Sequence, residues 1–421
     1  MGFFLTLYLL SLLATKYKYG VIVIAVVIQL LSYWGTGIPG VKIFTVVVLF
    51  ALSLYGRIPY ERKRVSVPYP KPLIWASLIF LFSFVISELY TRTNHHWETI
   101  VANSVCYFFF PFLLWKCLET RKDLMYFLRL LYILMLVAFI CGICELILKK
   151  NYVLELFDIL FTLEDFSFDD SRIRFGLKRC NSIFSYFTTY GIACCFSFTV
   201  FFYMRFYYQI RKKWLQLLIF AMPFCAFSTG SRAIFLGLFL LVGVLFLDER
   251  FRHSKYFQRL SIFAMISLPI LLSVAAQVYF SIFHSEDYGG GSTSELRILQ
   301  WEACMDSFLQ SPIIGNGRMY IWDVVSPAEP ILQGAESIWF SILVDYGILG
   351  AIAFVNLLIM CGLCLWKVDK KLISIPIAYL LILSLSPDSG VQYNILITFT
   401  IVHIKMNQLL KQGNLTLQSH I

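Results

Sequence analysis

Basic residues that could bind phosphate occur in three separate stretches of the sequence. They are Arg174, Lys178, Arg179, Arg232, Arg297 and Arg318. A guanidinium group can bind two oxygens of a phosphate as a planar fork, which the point charge of lysine cannot do. We therefore expect this set to bind an anionic group such as a diphosphate. The alternative is structural, with the same side chains paired to acidic neighbours or reaching lipid head groups.

Arg232 has the most distinctive surroundings of the six. It ends the short polar stretch 228–232, which separates two long apolar runs. An arginine at the mouth of a membrane helix is costly and often marks a ligand or ion path. Thr229 and Ser231 could instead cap the helix that follows, which would give the stretch a structural role. We expect Arg232 to bind phosphate.

Glu336 is the acidic residue best placed for chemistry, because it stands at the start of the apolar run 335–340. A carboxylate in the first turn of a helix is stabilised by the helix dipole, which is a purely structural role. At a partly dry membrane boundary its pKa could instead be raised, so that it acts as a general base. The sequence leaves both roles open.

The composition indicates the class of fold that must position these residues. Of 421 residues, 59% are hydrophobic and 14% are charged, and the mean hydropathy is +0.74. A soluble fold could not cover so much apolar surface, so the sequence predicts an integral membrane protein. The net charge of +10 arises mainly from short basic segments between apolar runs, which is the positive-inside pattern rather than a nucleic-acid surface.

The apolar runs predict an all-α, polytopic fold with about twelve transmembrane helices, or thirteen if residues 3–14 add a span. The predicted spans are 20–34, 38–56, 73–90, 98–115, 124–148, 182–204, 214–228, 233–247, 261–283, 336–366, 372–385 and 390–404. No leader peptide is expected, because the opening run has neither a basic start nor a cleavage site.

The connections between the spans differ in charge and length. The short basic connections are 57–72, 116–123, 205–213, 248–260 and 366–371, and we expect them to face the cytoplasm. The two long connections, 149–181 and 284–335, then lie outside and should carry the function. Residues 151–162 and 294–309 have helical apolar spacing, so each external loop should contain a short helix.

Four motifs occur in an order that resembles the O-antigen polymerase and ligase superfamily. Arg174-Phe175-Gly176, followed by Asn181 and Gly191, is similar to its outer-loop motif, and 228–238 is similar to its T-G-S-R-x-x-x-L-G-L segment. Arg297, Trp301 and the stretch 311–317 resemble its R-x-x-x-W…P-x-x-G-x-G motif, and 336–350 resembles the signature that ends its domain. The likeness covers 170–366, which we take as the core domain, with 1–169 and 367–421 as the flanking membrane regions.

The resemblance implies the activity and the roles of the candidate residues. It implies a metal-independent, inverting glycosyltransferase of the bacterial inner membrane, with its site facing the exterior and without a cofactor. Glu336 and Arg232 would be catalytic. The diphosphate and the glycan would be bound by Arg174, Lys178, Arg179, Asn181, Arg297 and Arg318. The implied partners are an undecaprenyl-diphosphate-linked oligosaccharide and membrane lipid, with a flippase and a chain-length regulator as further candidates, and no nucleic acid.

One departure from the superfamily favours a surface-polysaccharide polymerase, for O-antigen or capsule. Ligases of the superfamily carry histidine at the position of Glu336, whereas polymerases vary there and often have an acidic residue. A ligase that transfers the glycan to lipid A-core is the nearest alternative. A lipid-linked oligosaccharide flippase is the non-enzymatic one, although the sequence has neither the repeated halves nor the broken helices common in transporters.

Overall fold

The computed structural model describes residues 19–23, 68–90, 110–153, 155–156, 173–174, 177–184, 186–210, 212–253, 257–258, 294–318, 320–325, 337–386 and 392–418. Within these ranges the protein is a helical bundle with one two-residue hairpin, which confirms the all-α membrane fold. The first half contains α1 (Lys71–Leu89), α2 (Phe110–Cys117), α3 (Arg121–Leu148), β1 (Ile173–Arg174), β2 (Leu177–Lys178), α4 (Phe187–Phe202) and a π-helix (Tyr203–Tyr207).

The second half contains helices of very different lengths. They are α5 (Lys213–Ser228), α6 (Arg232–Phe246), α7 (Glu249–Arg252), α8 (Ser294–Gln310), a π-helix (Ile321–Val325), α9 (Ile338–Trp366), a 3-10 turn (Lys370–Ile373), α10 (Ser374–Ser384) and α11 (Gln392–Gln418). Helix α8 matches the predicted helix 294–309 within one residue.

Four of the described helices are long and apolar enough to cross a membrane: Lys71–Leu89, Arg121–Leu148, Phe187–Tyr207 and Ile338–Trp366. Three shorter apolar helices, Lys213–Ser228, Arg232–Phe246 and Ile395–Leu410, accompany them. Predicted spans 73–90, 124–148, 214–228 and 233–247 agree with these helices to within three residues, whereas 182–204 and 390–404 differ by three to six residues at each end. Predicted spans 38–56 and 261–283, and most of 20–34 and 98–115, lie outside the described residues, so the total number of helices stays a prediction.

The basic connections come together at one end of the bundle. Lys371 forms an ion pair of 2.6 Å with Asp248, which joins the connection after α9 to the connection after α6. Lys405 lies 4.0 Å above the ring of Trp115, beside the connection between α2 and α3. The ring of Phe251 packs on that of Phe206 at 4.9 Å and the ring of Tyr203 on that of His403 at 5.4 Å, so the described parts of these connections share one end of the bundle and lie away from the other. We call these the basic end and the opposite end.

Helix α9 is sharply broken at Gly347, where the backbone has φ 65° and ψ −165°. The rings of Trp339 and Phe354 lie 5.9 Å apart, although fifteen residues of straight helix would separate them by about 22 Å. Residues 338–346 therefore fold back along residues 348–366. The predictions of one continuous span over 336–366 and of a chain without broken helices were wrong, because a glycine at positive φ reverses the chain in the middle of the apolar run.

Candidate active site

The carboxylate of Glu145, buried near the end of α3, holds the loop that leads into α4. One oxygen, Oε2, accepts hydrogen bonds from the backbone N–H groups of Asn181 at 3.0 Å and Ser182 at 2.7 Å. The Cys180 thiol donates to the same oxygen at 3.2 Å. The Ser182 hydroxyl also donates to the Ala138 carbonyl at 2.5 Å. A single carboxylate thus fixes three consecutive residues of the motif that contains Asn181.

The same loop is joined to the turn that carries Arg232. The backbone N–H of Cys180 donates to the Ser228 carbonyl at 3.1 Å, at the end of α5. Gly230 then adopts φ 61°, and α6 begins at Arg232 with Ser231 as its N-cap residue. Within the described segment 212–253, Ser231 makes no side-chain capping bond and the Thr229 hydroxyl donates backward to the Ala226 carbonyl at 2.7 Å. Ser231 therefore does not cap α6 through its side chain, and the Thr229 hydroxyl accepts from the backbone N–H of the N-cap residue Ser231, at 3.4 Å, rather than from an N–H inside the helix.

Close helix packing sets the position of Arg232. A methyl group at Gly191 in α4 would lie 2.6 Å from Ile234, two residues after Arg232. A methyl group at Gly237 would likewise lie 2.6 Å from Ile382 in α10. Both glycines allow α6 to lie directly against its neighbours. The backbone that carries the half-buried side chain of Arg232 is therefore held in place at the opposite end.

Arg179 lies beside this turn, at the start of the loop held by Glu145. Its guanidinium carbon lies 4.0 Å from the centre of the Phe187 ring, a cation–π contact with the first residue of α4. The next residue, Cys180, is buried and in the free thiol form, as is Cys304. Burial, and then the Glu145 carboxylate, raise the pKa of the Cys180 thiol well above its usual range.

The glycine-rich loop after α8 packs directly on the break in α9. The backbone N–H groups of Asn316 and Gly317 donate to the carbonyls of Val344 and Asp345, at 2.9 and 3.0 Å. A methyl group on Gly315 would lie 2.2 Å from the Asp345 carbonyl oxygen, and one on Gly347 would lie 2.4 Å from that of Ile313. Two of the predicted motifs therefore form one unit, and their glycines are required by the contact of two backbones.

Arg318 is held by a second buried carboxylate. Its backbone N–H donates to Oε1 of Glu88 at 3.0 Å, and Glu88 is near the end of α1. The adjacent Ser87 hydroxyl donates to the backbone carbonyl of Asp345. Helix α1 therefore ties both the glycine-rich loop and the break in α9 to the bundle, which leaves the half-buried Arg318 side chain at the opposite end.

Glu336 lies outside the described residues, but the structure describes the segment it precedes. The helix begins at Ile338 with Ser337 as its N-cap residue, and its first turn contains no acidic residue. The interpretation of Glu336 as a first-turn carboxylate was therefore wrong by two residues. The indole N–H of Trp339 donates to the Ser384 hydroxyl at 3.0 Å. Arg232 and the segment after Glu336 thus both flank the last turns of α10.

The remaining predicted residues are described only by their backbones. Arg174 pairs with Leu177, and Lys178 with Ile173, in the small antiparallel hairpin that precedes Arg179. Arg297 lies in the first turn of α8. The structure brings Arg179, Asn181 and Arg232 together around the end of α5. The roles of all these side chains in binding stay predictions.

Sequence reasoning missed the buried carboxylates of Glu88 and Glu145, which hold the two loops. Each is a lone glutamate near the end of a long apolar run, and an ionisable residue within a membrane span is unusual enough to indicate a function. That signal was available in the sequence. The partners of these carboxylates could not be predicted, because they include backbone N–H groups that are far away in the sequence.

One comparison with known protein families covers part of this site. Curated proteins gave no match to the sequence. Residues 217–355 match the family model described as O-antigen ligase. The matched segment begins in α5, includes Arg232, the glycine-rich loop and the broken helix, and lies inside the predicted core 170–366. Residues 217–355 are therefore similar to the O-antigen ligase family, which is consistent with the O-antigen polymerase and ligase superfamily.

Proposed function

We propose that the protein polymerises surface-polysaccharide repeat units, transferring a polyprenyl-diphosphate-linked glycan to a sugar hydroxyl of an incoming lipid-linked unit. The observation that carries the proposal is the joining of the family motifs in two pairs. The Cys180–Ser228 bond joins the first motif to the turn of Arg232. The contact of Gly315 with Asp345 joins the third motif to the fourth.

The lengths of the helices support a site recessed into the membrane. From Asp248, which is ion-paired at the basic end, sixteen residues of helix lead to Arg232, a distance of about 24 Å. The hydrocarbon core is about 30 Å thick. Arg232 would therefore meet the diphosphate at the level of the lipid head groups or slightly below it. Water is scarce there, so the attraction between the guanidinium group and the phosphate oxygens is stronger than in bulk water.

The proposed reaction is a displacement at the anomeric carbon of the donor glycan. The bond between that carbon and the phosphate oxygen breaks, and its electron pair leaves with the polyprenyl diphosphate. Arg232 stabilises the charge that develops there, assisted by the other arginines. The acceptor hydroxyl oxygen forms the new bond to the anomeric carbon, and its proton passes to Glu336 acting as the base.

We prefer a polymerase to a ligase because of one residue, Glu336. The superfamily's ligases carry histidine where this chain has Glu336, and the family match itself does not separate the two activities. We further propose that the motif end faces the exterior of the bacterial inner membrane. A flippase would supply the lipid-linked units, and a chain-length regulator would act beside the polymerase.

The test is a transfer assay with the purified full chain in lipid nanodiscs and a synthetic polyprenyl-diphosphate oligosaccharide. We expect a ladder of products, each longer by one repeat unit. A single product that forms only when lipid A-core is added would identify a ligase instead. In cells, deletion should leave single repeat units on the surface. Inward-facing lipid-linked units would identify a flippase and overturn the proposal.

A further inference from the structure

Helix α8 (Ser294–Gln310) packs polar side chains against the protein and exposes apolar ones, which is the reverse of a helix on the surface of a soluble protein. Its face toward the protein contains Gln300, Cys304 and Ser307, which are 3%, 2% and 5% exposed. Its outward face contains Ile298, Trp301, Met305 and Leu309, with Met305 40% and Leu309 65% exposed. At about 100° per residue these four fall within an arc of about 80°, so they form one continuous stripe.

The outward surface of α8 is also divided lengthwise. Glu302 and Asp306 are exposed, and they follow directly after Trp301 and Met305. One residue of helix turns the side chain by about 100°, so the acidic pair lies beside the apolar stripe rather than within it. The exposed side of the helix thus carries the apolar stripe with the acidic pair next to it, and the exposed Leu299 lies beyond the acidic pair. This is the arrangement of a helix that lies at a membrane surface.

The position of α8 against α9 shows where the stripe lies. The Trp301 ring stacks on Phe340 at 5.5 Å, and Cys304 packs with Val344 in a small apolar cluster. Helix α8 therefore runs beside the folded-back segment 338–346. That segment lies along the span 348–366, because the rings of Trp339 and Phe354 are 5.9 Å apart. The stripe is consequently at the level of the outer turns of a membrane span.

The stripe continues into the lipid-facing side of α9. Ile313, which follows α8 and is 69% exposed, is joined to this span because its carbonyl accepts from the Leu349 N–H at 3.1 Å. Ile348, Ile352 and Ile359 are exposed along one side of the same apolar span. An exposed apolar side of a membrane span contacts lipid, and the bond between Ile313 and Leu349 places the chain that follows α8 at this span.

We infer that α8 lies in the outer leaflet with Ile298, Trp301, Met305 and Leu309 in the hydrocarbon of the bilayer and Glu302 and Asp306 toward water. The occupant of the stripe is the acyl phase of the membrane. Contact is driven by apolar area, because Glu302 and Asp306, the exposed charges described beside the stripe, are acidic and would be repelled by anionic head groups. The inference does not depend on the proposed glycan transfer. It assigns to the second external loop a membrane contact beside the candidate site.

The experiment uses the full chain with benzoylphenylalanine at one position, reconstituted in vesicles of phosphatidylethanolamine and phosphatidylglycerol with tritium-labelled acyl chains. Met305 and Asp306 form a matched pair, since they are adjacent in sequence and face different ways. Trp301 and Glu302 form a second pair. After irradiation, labelled lipid should attach several-fold more at Met305 and Trp301 than at their acidic neighbours. Lowering the phosphatidylglycerol content should not reduce the amount of lipid attached at Met305 and Trp301.

Two results would overturn the inference. Equal labelling within each pair would mean that the stripe faces water. Cross-linking from Met305 to a second copy or to another segment of this chain, in place of lipid, would mean that protein covers the stripe. The readout is lipid attachment, so a chain without polymerase activity would still give a decisive answer. The benzoylphenylalanine sites are exposed, and a monodisperse elution profile before reconstitution checks that each variant is folded.

Discussion

The Glu145 carboxylate accepts a hydrogen bond from the backbone N–H of Ser182 at 2.7 Å, across 37 residues of sequence. This contact connects a lone charge in a membrane helix to the loop of the first family motif. Through Cys180 and Ser228 the same loop reaches the turn of Arg232. The candidate phosphate site therefore depends on a residue that would not itself touch the substrate.

Glu145→Gln should loosen this loop. A hydrogen bond to a charged acceptor contributes about 1.5–3 kcal/mol, and glutamine offers a neutral one in its place. We expect a lower thermal midpoint and faster alkylation of Cys180 by N-ethylmaleimide, because burial and the Glu145 charge both raise the pKa of that thiol. Glu155→Gln is the control, since Glu155 pairs with Lys150 instead. Unchanged Cys180 reactivity in Glu145→Gln would remove Glu145 from this role.

Gly347→Ala should damage the site by straightening the chain where α9 reverses. A side chain at this combination of φ and ψ, which is essentially restricted to glycine, costs about 1–3 kcal/mol, and the added methyl would lie 2.4 Å from the Ile313 carbonyl oxygen. We expect a lower thermal midpoint and loss of transfer activity. Gly243→Ala is the matched control, because nothing lies within 4 Å of a methyl group there. Equal stability of the two variants would contradict the reversal at Gly347.

The sequence predicted most of the helices because membrane spans are coded locally, by the length of an apolar run. Helix α8 could be predicted for the same reason, from its own periodicity. The fold-back at Gly347 could not, because it depends on a backbone contact between Gly347 and Ile313, 34 positions apart. The attachment of Arg318 to Glu88 is hidden likewise, since the glutamate binds a backbone N–H that any residue would provide.

Arg232→Lys should keep the charge but lose the forked geometry. We expect the rate of transfer to fall by about 10- to 100-fold, the equivalent of one charge-assisted hydrogen bond. The measurement is the initial rate of ladder formation in nanodiscs at matched protein amounts. Arg252→Lys provides the control, because Arg252 is exposed at the basic end. A normal rate in Arg232→Lys would show that charge alone is sufficient at this position.

The orientation of the bundle can be tested with two exposed positions at its two ends. Lys370 belongs to the basic connection 366–371, and Gln310 ends α8. By the positive-inside rule, Lys370→Cys should react with a membrane-impermeant maleimide only after spheroplasts are permeabilised. Gln310→Cys should react in intact spheroplasts. The parent protein gives the background from its own cysteines. Labelling of Lys370→Cys from outside would invert the proposed topology.

Glu336→Gln separates a catalytic role from a structural one. If Glu336 is the base, the isosteric change should lower the rate by about 10²–10⁴, the usual range for acid–base catalysis. The helix begins only at Ile338, so the change should leave the thermal midpoint close to that of the parent. Glu336→Asp should recover little of the rate, because the aspartate side chain is shorter by one bond. Binding of the lipid-linked substrate should persist, since the arginines proposed to hold the diphosphate are unchanged. Glu302→Gln, on the exposed face of α8, is the control. Ladder formation at the parent rate by Glu336→Gln would leave the arginines alone to carry the chemistry.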